Sequence, residues 1–398
     1  MPQRLLSPLD VRVWAAAFLL VAVLLILTKF TSADPDSALH AALSSRLAEG
    51  PVRGWIAPEW WGEWDHTGLY REHPVGVFLL PVVLGTLGIP TVQAAFIVGV
   101  AASLAALILI AHVVRTLTSR EDGRAVLFLL LVMPVAFIFR IRANHEYPML
   151  VCLLLLLIGL DGARRSWGYL ALVAAALSAA LLIKGAFVVL LLLAGALWIA
   201  INPTRTAGSN WRPVAAVLAG MAAMGLVAVI YDQLYWRATD TAFWAHYWNR
   251  QLAPLEIATP LDRASRLASH LLFYLIRLLW HPAPWSFVLV VAIVRHSASA
   301  REWWRRTPDR TRRGLLFAVA FAALAIAALS PSSRFAERYA FPATFAVGTA
   351  GAVIAYRTWP LIRRGVDRLD RAVPAAPAVV WLGLILLRLG LGPLLPRW

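Results

Sequence analysis

Residues 13–41 read VWAAAFLLVAVLLILTKFTSADPDSALHA. From Val13 to Phe30 the run is apolar except for Lys29, which suits a helix crossing the ~30 Å hydrocarbon core of a bilayer. Arg4 and Arg12 precede it and Thr31-Ser32-Ala33 follows it, the layout of a secretory leader with a small-residue cleavage site. Lys29 interrupts that cleavage region, so the segment is read as an uncleaved anchor. Asp34-Pro35-Asp36 then opens a helical pattern over residues 37–47. The first membrane segment therefore ends on an acidic corner.

The alternation of apolar run and polar corner continues along the chain. Spans are expected at 13–30, 91–114, 125–139, 147–163, 168–183, 186–201, 213–231, 283–294, 314–329, 339–356 and 375–391. Two apolar pieces fit less well. Residues 74–88 are short and bracketed by Pro74 and Pro90. Residues 264–281 carry Arg266, His270, Arg277 and His281 on one helical face, as an interfacial helix does. Composition agrees: 398 residues are 60% hydrophobic and 15% charged, with mean hydropathy +0.70. A soluble domain holds roughly 45–50% apolar and about 25% charged residues. A water-soluble globule, a disordered chain and an outer-membrane barrel are all excluded. The expected fold is all-α: a single transmembrane domain over 1–398 with no separate soluble domain. It has eleven spans, or thirteen if both awkward pieces cross, with amphipathic juxtamembrane helices on its outer face. Cys152 is the one cysteine, so no disulfide framework or thiol metal site exists.

Net charge is +16. With the N-terminus cytoplasmic and eleven spans, inner segments hold 21 of the 37 basic residues and 8 of the 21 acids. That bias follows the positive-inside rule, so the charge sets orientation and implies no nucleic-acid partner. The outer side keeps nearly balanced charges on long loops. The first, at about 31–73, holds Asp34, Asp36, Glu72, His40 and His73 with Trp55, Trp60, Trp61 and Trp64. The second, at about 232–265, holds Trp236, Trp244, Tyr247, Trp248 and Arg250. The tryptophans read either as an interfacial belt or as a platform for stacking sugars. No Gly-rich phosphate loop or metal-ligand spacing occurs.

Five polar stations recur in order: Asp34-Pro35-Asp36-Ser37, Glu72-His73-Pro74-Val75-Gly76, Arg140-Ile141-Arg142-Ala143-Asn144-His145-Glu146, Lys184-Gly185, and finally Pro284-Trp285 with Ser333-Arg334-Phe335-Ala336-Glu337-Arg338-Tyr339. This order resembles the GT-C superfamily of membrane glycosyltransferases, in particular the polyprenyl-phosphate-sugar branch with protein O-mannosyltransferases and the lipid A aminoarabinose transferase. In that family an Asp, usually followed by Glu, opens the first outer loop. Asp36 fits that place, with Ser37 where the Glu stands. The family's loop-ending Lys/His-Pro-Pro-Leu motif is matched by His73-Pro74 alone. Glu146 takes the position of the acid in the next outer loop.

The resemblance implies an inverting glycosyltransferase that moves a sugar from a polyprenyl phosphate, with undecaprenyl as the expected carrier, to a hydroxyl acceptor on the periplasmic face. The protein is then a multi-pass protein of a bacterial inner membrane, with membrane lipids and a lipid, glycan or protein acceptor as partners. Such chemistry needs a base for the acceptor and donors for the departing phosphate. Asp36 is the first choice for base, its alternative being a solvated loop acid or helix cap; Asp34 is the runner-up. Glu146 is a second active-site acid or half of a local ion pair. Lys184, His73, Arg338, Arg334 and Arg142 are candidates for the donor phosphate. For Lys184 the alternative is snorkelling, since a lysine at a helix centre costs roughly 2.5–3.5 kcal/mol on insertion scales. Glu72, His145, Asn144 and Trp61 are candidates for acceptor or sugar. No cofactor is required, and a divalent metal stays open. The competing readings are a transporter or flippase of a lipid-linked glycan, and a ligase or polymerase using a diphosphate-linked oligosaccharide.

Overall fold

The computed structural model describes residues 5–32, 34–60, 68–202, 211–249, 259–295, 299–331 and 336–391. Among them the chain is helical, with one isolated antiparallel bridge between Glu59 and Leu69. α1 (Pro8–Leu27) leads to α2 (Pro35–Glu49), and α3 (Gly76–Thr86) turns into α4 (Thr91–Leu117). α5 (Arg120–Leu129) and α6 (Pro134–Phe139) divide one apolar run. α7 (Glu146–Ala163), α8 (Tyr169–Lys184), α9 (Val188–Ile201) and α10 (Trp211–Thr239) follow. α11 (Phe243–Tyr247), α12 (Pro260–Trp280), α13 (Trp285–Arg295) and α14 (Ser299–Arg306) lead to α15 (Asp309–Leu329), α16 (Phe341–Thr358), α17 (Pro360–Ala372) and α18 (Ala376–Leu391).

Among the described residues, seven helical stretches are long and apolar enough to cross a membrane, or up to nine if each of two bent pairs is one span. Eleven to thirteen were expected from sequence, and the difference has physical causes. Run 125–139 is broken because Pro134 offers no N–H and crowds the preceding turn; Arg140 donates its Nη2 to the freed Leu131 carbonyl at 3.0 Å. Runs 283–294 and 375–391 are arms of pairs bent by 100° and 95°. Tyr169–Ile201 counts as one stretch of 33 residues, but it folds back on itself. Val173 of α8 packs on Gly159 of α7, and Gly195 of α9 packs on Leu156 and Leu160 of the same helix. In a straight helix Val173 and Gly195 would stand about 33 Å apart. The reversal falls at Lys184-Gly185, where sequence places the end of a span.

These connections give the bundle two ends. At one lie α2, the start of α7, the α8–α9 turn and the start of α16. At the other, Arg124 holds Asp370 and Asp10, the latter at 3.0 Å, and Arg357 holds Asp122 at 2.6 Å. Those pairs tie α1, α5, α16 and α17 together. The core between the ends is aliphatic, led by Leu150, Leu153, Leu157 and Leu160 of α7 and closed by aromatic pairs such as Trp14–Trp381.

Candidate active site

The acidic corner after α1 is built by a helix cap. Asp34 Oδ2 accepts from the Ser37 backbone N–H at 3.0 Å and from its hydroxyl at 2.6 Å, which starts α2. Asp34 Oδ1 lies 3.6 Å from Arg142. Both carboxylate oxygens of Asp34 are thus engaged in holding the corner. Asp36, in the first turn of α2, is freer: its side chain is 40% exposed and contacts Arg338 Nη1.

The centre is Glu146, first residue of α7, with a carboxylate 1% exposed. His145 Nε2, Lys184 Nζ and Arg338 Nε lie 3.1, 3.5 and 4.0 Å from its Oε1. None meets it in hydrogen-bonding alignment, so both oxygens are buried with their lone pairs unclaimed among the described residues. Lys184 also lies over the rings of Phe187 at 4.3 Å and Tyr339 at 5.1 Å, which hold a cation favourably. Arg338 therefore stands between two acids, Asp36 on one side and Glu146 on the other.

Three histidines back this centre, with His145 4.9 Å from His73 and 5.5 Å from His40 between ring centroids. Burial, reinforced by His145, pushes His40 down to about 3. Burial and the neighbouring cationic groups hold His73 well below the usual histidine value, and burial lowers His145 as well. Burial thus disfavours charge on all three, and Lys184 and Arg338 face Glu146 beside them. His73 reaches the cluster because Gly76 lets α3 start against the end of α8: a Cβ at Gly76 would stand 2.7 Å from the Leu182 carbonyl.

Two spaces adjoin these groups. A void of about 10 Å³, room for one water, lies between Glu146, Lys184, Arg338 and Tyr339. A cavity of about 1050 Å³ opens on the other side. Asp34, Arg142, Arg277, His281, Glu337 and Arg388 line its polar part, and Leu24, Ile138, Trp280 and Leu386 its apolar part. Sequence neighbours thus part company: Asp34 and Glu337 face the cavity, while Asp36 and Arg338 form the pair beside it. A proline between the two aspartates is what separates them.

Of the residues expected from sequence, Asp34, Asp36, Arg142, His145, Glu146, Lys184, Arg338 and His73 come together. Asn144, next to His145 in the chain, is buried, and Glu72, next to His73, is half-buried. Arg334 and Trp61 lie outside the described residues, as do Trp64, His66 and Arg250. Sequence named His40 and Tyr247 on the outer loops and Arg277 and His281 on one helical face without placing them at the site, where Arg277 and His281 meet Glu337 at 3.4 and 3.7 Å; it did not single out Phe187. The stripe on α12 signals that cluster, but part of its polar face meets protein: His270 is buried and bonds the Ser330 carbonyl at 2.9 Å, while Arg266 is exposed. Among the described residues no three His, Cys, Asp or Glu side chains converge as a metal site.

No family model matches the chain, and no curated protein does. Solved structures do. ArnT from Cupriavidus metallidurans bound to undecaprenyl phosphate superposes with TM-score 0.63 at 16% identity, over 96% of this chain and 71% of that one. Its apo state gives 0.62 at 16% identity, over 96% and 72%. This is the GT-C fold. The Archaeoglobus fulgidus oligosaccharyltransferase, another GT-C protein, gives 0.54 at 15% identity over 95% of this chain and 54% of its own. Within the GT-C fold of this chain, Glu146, Lys184 and Arg338 line the small void at the helix ends, and Arg142 and Glu337, near them in sequence, line the large cavity.

The α8–α9 turn admits no side chain. Gly185 has φ +55°, and a Cβ there would lie 2.5 Å from the Tyr247 ring. Gly185→Ala is expected to cost about 1–3 kcal/mol in backbone strain alone, read as a lower Tm in detergent. An unchanged Tm would show that the turn tolerates a side chain.

Proposed function

We propose that the chain is a membrane glycosyltransferase that moves a sugar from a polyprenyl phosphate, undecaprenyl phosphate being the expected carrier, to a hydroxyl acceptor with inversion. The observation that carries this reading is Arg338 standing between Asp36 and the buried Glu146–Lys184 pair, beside a cavity lined by both charged and apolar side chains. A lipid-linked donor needs such a boundary, since its sugar phosphate is polar and its chain is not.

In the reaction, Asp36 takes the proton of the acceptor hydroxyl as the oxygen attacks the anomeric carbon. The carbon–oxygen bond to phosphate breaks on the opposite face, and the phosphate leaves with the electron pair. Lys184 and Arg338 receive its charge. Arg338 occupies Asp36 in this structure; transfer of that guanidinium to the donor phosphate would leave Asp36 open to the acceptor. The end of the bundle opposite α2 carries Arg115, Arg164, Arg313, Arg357 and the arginines of α17. Positive-inside bias makes that end cytoplasmic and the site periplasmic.

The test is purified protein in liposomes with a labelled sugar on undecaprenyl phosphate and cell-envelope acceptors. The expected result is acceptor-dependent release of undecaprenyl phosphate and a product of opposite anomeric configuration. Transmembrane movement of intact donor without bond cleavage would replace this reading with a flippase.

A further inference from the structure

Tyr247 lies far from the donor and acceptor groups in sequence, on the second long loop, yet it touches the turn that carries Lys184. Where α8 stops, the backbone leaves a carbonyl and an N–H without helical partners. One phenol serves both: Tyr247 Oη donates to the Lys184 carbonyl at 3.2 Å and accepts from the Ala186 N–H at 3.0 Å. Its ring fills the space that a side chain on Gly185 would need. Tyr247 is itself 5% exposed and firmly held. Asp232 of α10 accepts from the Phe243 and Trp244 backbone N–H groups at 2.8 and 3.1 Å, starting α11. Trp244 Nε1 donates to the Ala228 carbonyl at 2.9 Å, and the Tyr247 ring stacks on Phe243.

We infer that Tyr247 is a positioning residue: it fixes the Lys184-Gly185-Ala186 turn, and so the place of the Lys184 ammonium against Glu146, from the second outer loop. The connection runs from Asp232 through α11 and the phenol to the backbone of Lys184, then along that side chain to its position 3.5 Å from Glu146. Stability of the bundle does not require it, because α8 and α9 are already packed on α7 along their lengths. What the phenol adds is register at the one turn where the charged centre needs it. The role of Lys184 in transfer rests on the function proposed above; its placement by Tyr247 does not.

The chain has two lysines, Lys29 and Lys184. Lys29 is exposed and Lys184 is 2% exposed, so one reports reagent access and the other the turn. The test is amine labelling of the full chain in detergent with acetic anhydride, with each lysine quantified by mass spectrometry, for wild type and Tyr247→Phe. Phenylalanine keeps the ring over Gly185 and removes both hydrogen bonds. The expected result is a rise of ~10-fold in Lys184 labelling relative to Lys29, the ratio that about 1.4 kcal/mol gives, toward the lower end of what two hydrogen bonds contribute, with Tm within a few degrees. An unchanged ratio overturns the inference. So does a rise matched by a Tm collapse, provided Phe243→Leu, which disturbs the same helix without touching the turn, raises the ratio equally. Absence of sugar transfer by wild type would count against the proposed function and leave the labelling result to stand alone.

Discussion

Asp36→Asn is expected to lower sugar transfer by about 10²–10⁴-fold, the usual contribution of a positioned general base, with donor binding retained. The variant keeps the shape of the side chain in the first turn of α2, so a loss with unchanged Tm cannot be assigned to misfolding. Asp34→Asn provides the contrast. Asp34 caps α2 through Ser37 and sits near Arg142, so its change should cost about 0.5–2 kcal/mol of stability as a lost cap does, with a smaller loss of rate. Single-turnover transfer and thermal unfolding measured on both variants separate the roles. Full transfer by Asp36→Asn, or the larger rate loss in Asp34→Asn, would move the base from Asp36 to its neighbour.

The sequence is most legible where structure is local. Asp34 and Asp36 follow an apolar run, Glu146 opens another, and Lys184-Gly185 closes a third; each can be placed at a helix end from its flanks. Since hydrophobic helices must turn at the membrane boundary, groups at like ends share one side. Their convergence on a single centre is what this periodicity cannot give. Tyr247 meets Lys184 across 63 residues, and His40 meets His145 across four intervening α-helices; neither contact leaves a local trace. The stripe of α12 shows the intermediate case. Spacing identified a polar face correctly, yet could not say whether water or the Ser330 carbonyl would satisfy it. Helix counting is ambiguous for a related reason. Apolar runs look alike whether they cross whole, break at Pro134, or bend by 100° at the end of α12.

Lys184→Met should abolish measurable transfer, by about 10²–10³-fold if the ammonium receives charge on the departing phosphate. It should also destabilise, because Glu146 would keep its burial and lose the nearest aliphatic cation; leaving a buried charge without its partner typically costs about 3–5 kcal/mol. These effects have different origins and can be pulled apart by a second substitution. In Lys184→Met/Glu146→Gln the buried charge is gone, so most of the lost stability should return as a higher Tm. Transfer should not return, since the phosphate still lacks Lys184. The coupling between the two positions is then large in stability and small in rate, the pattern a double-mutant cycle resolves. Recovery of transfer in the double variant would mean that Lys184 serves only to neutralise Glu146, and the cation for the phosphate would have to be Arg338 alone.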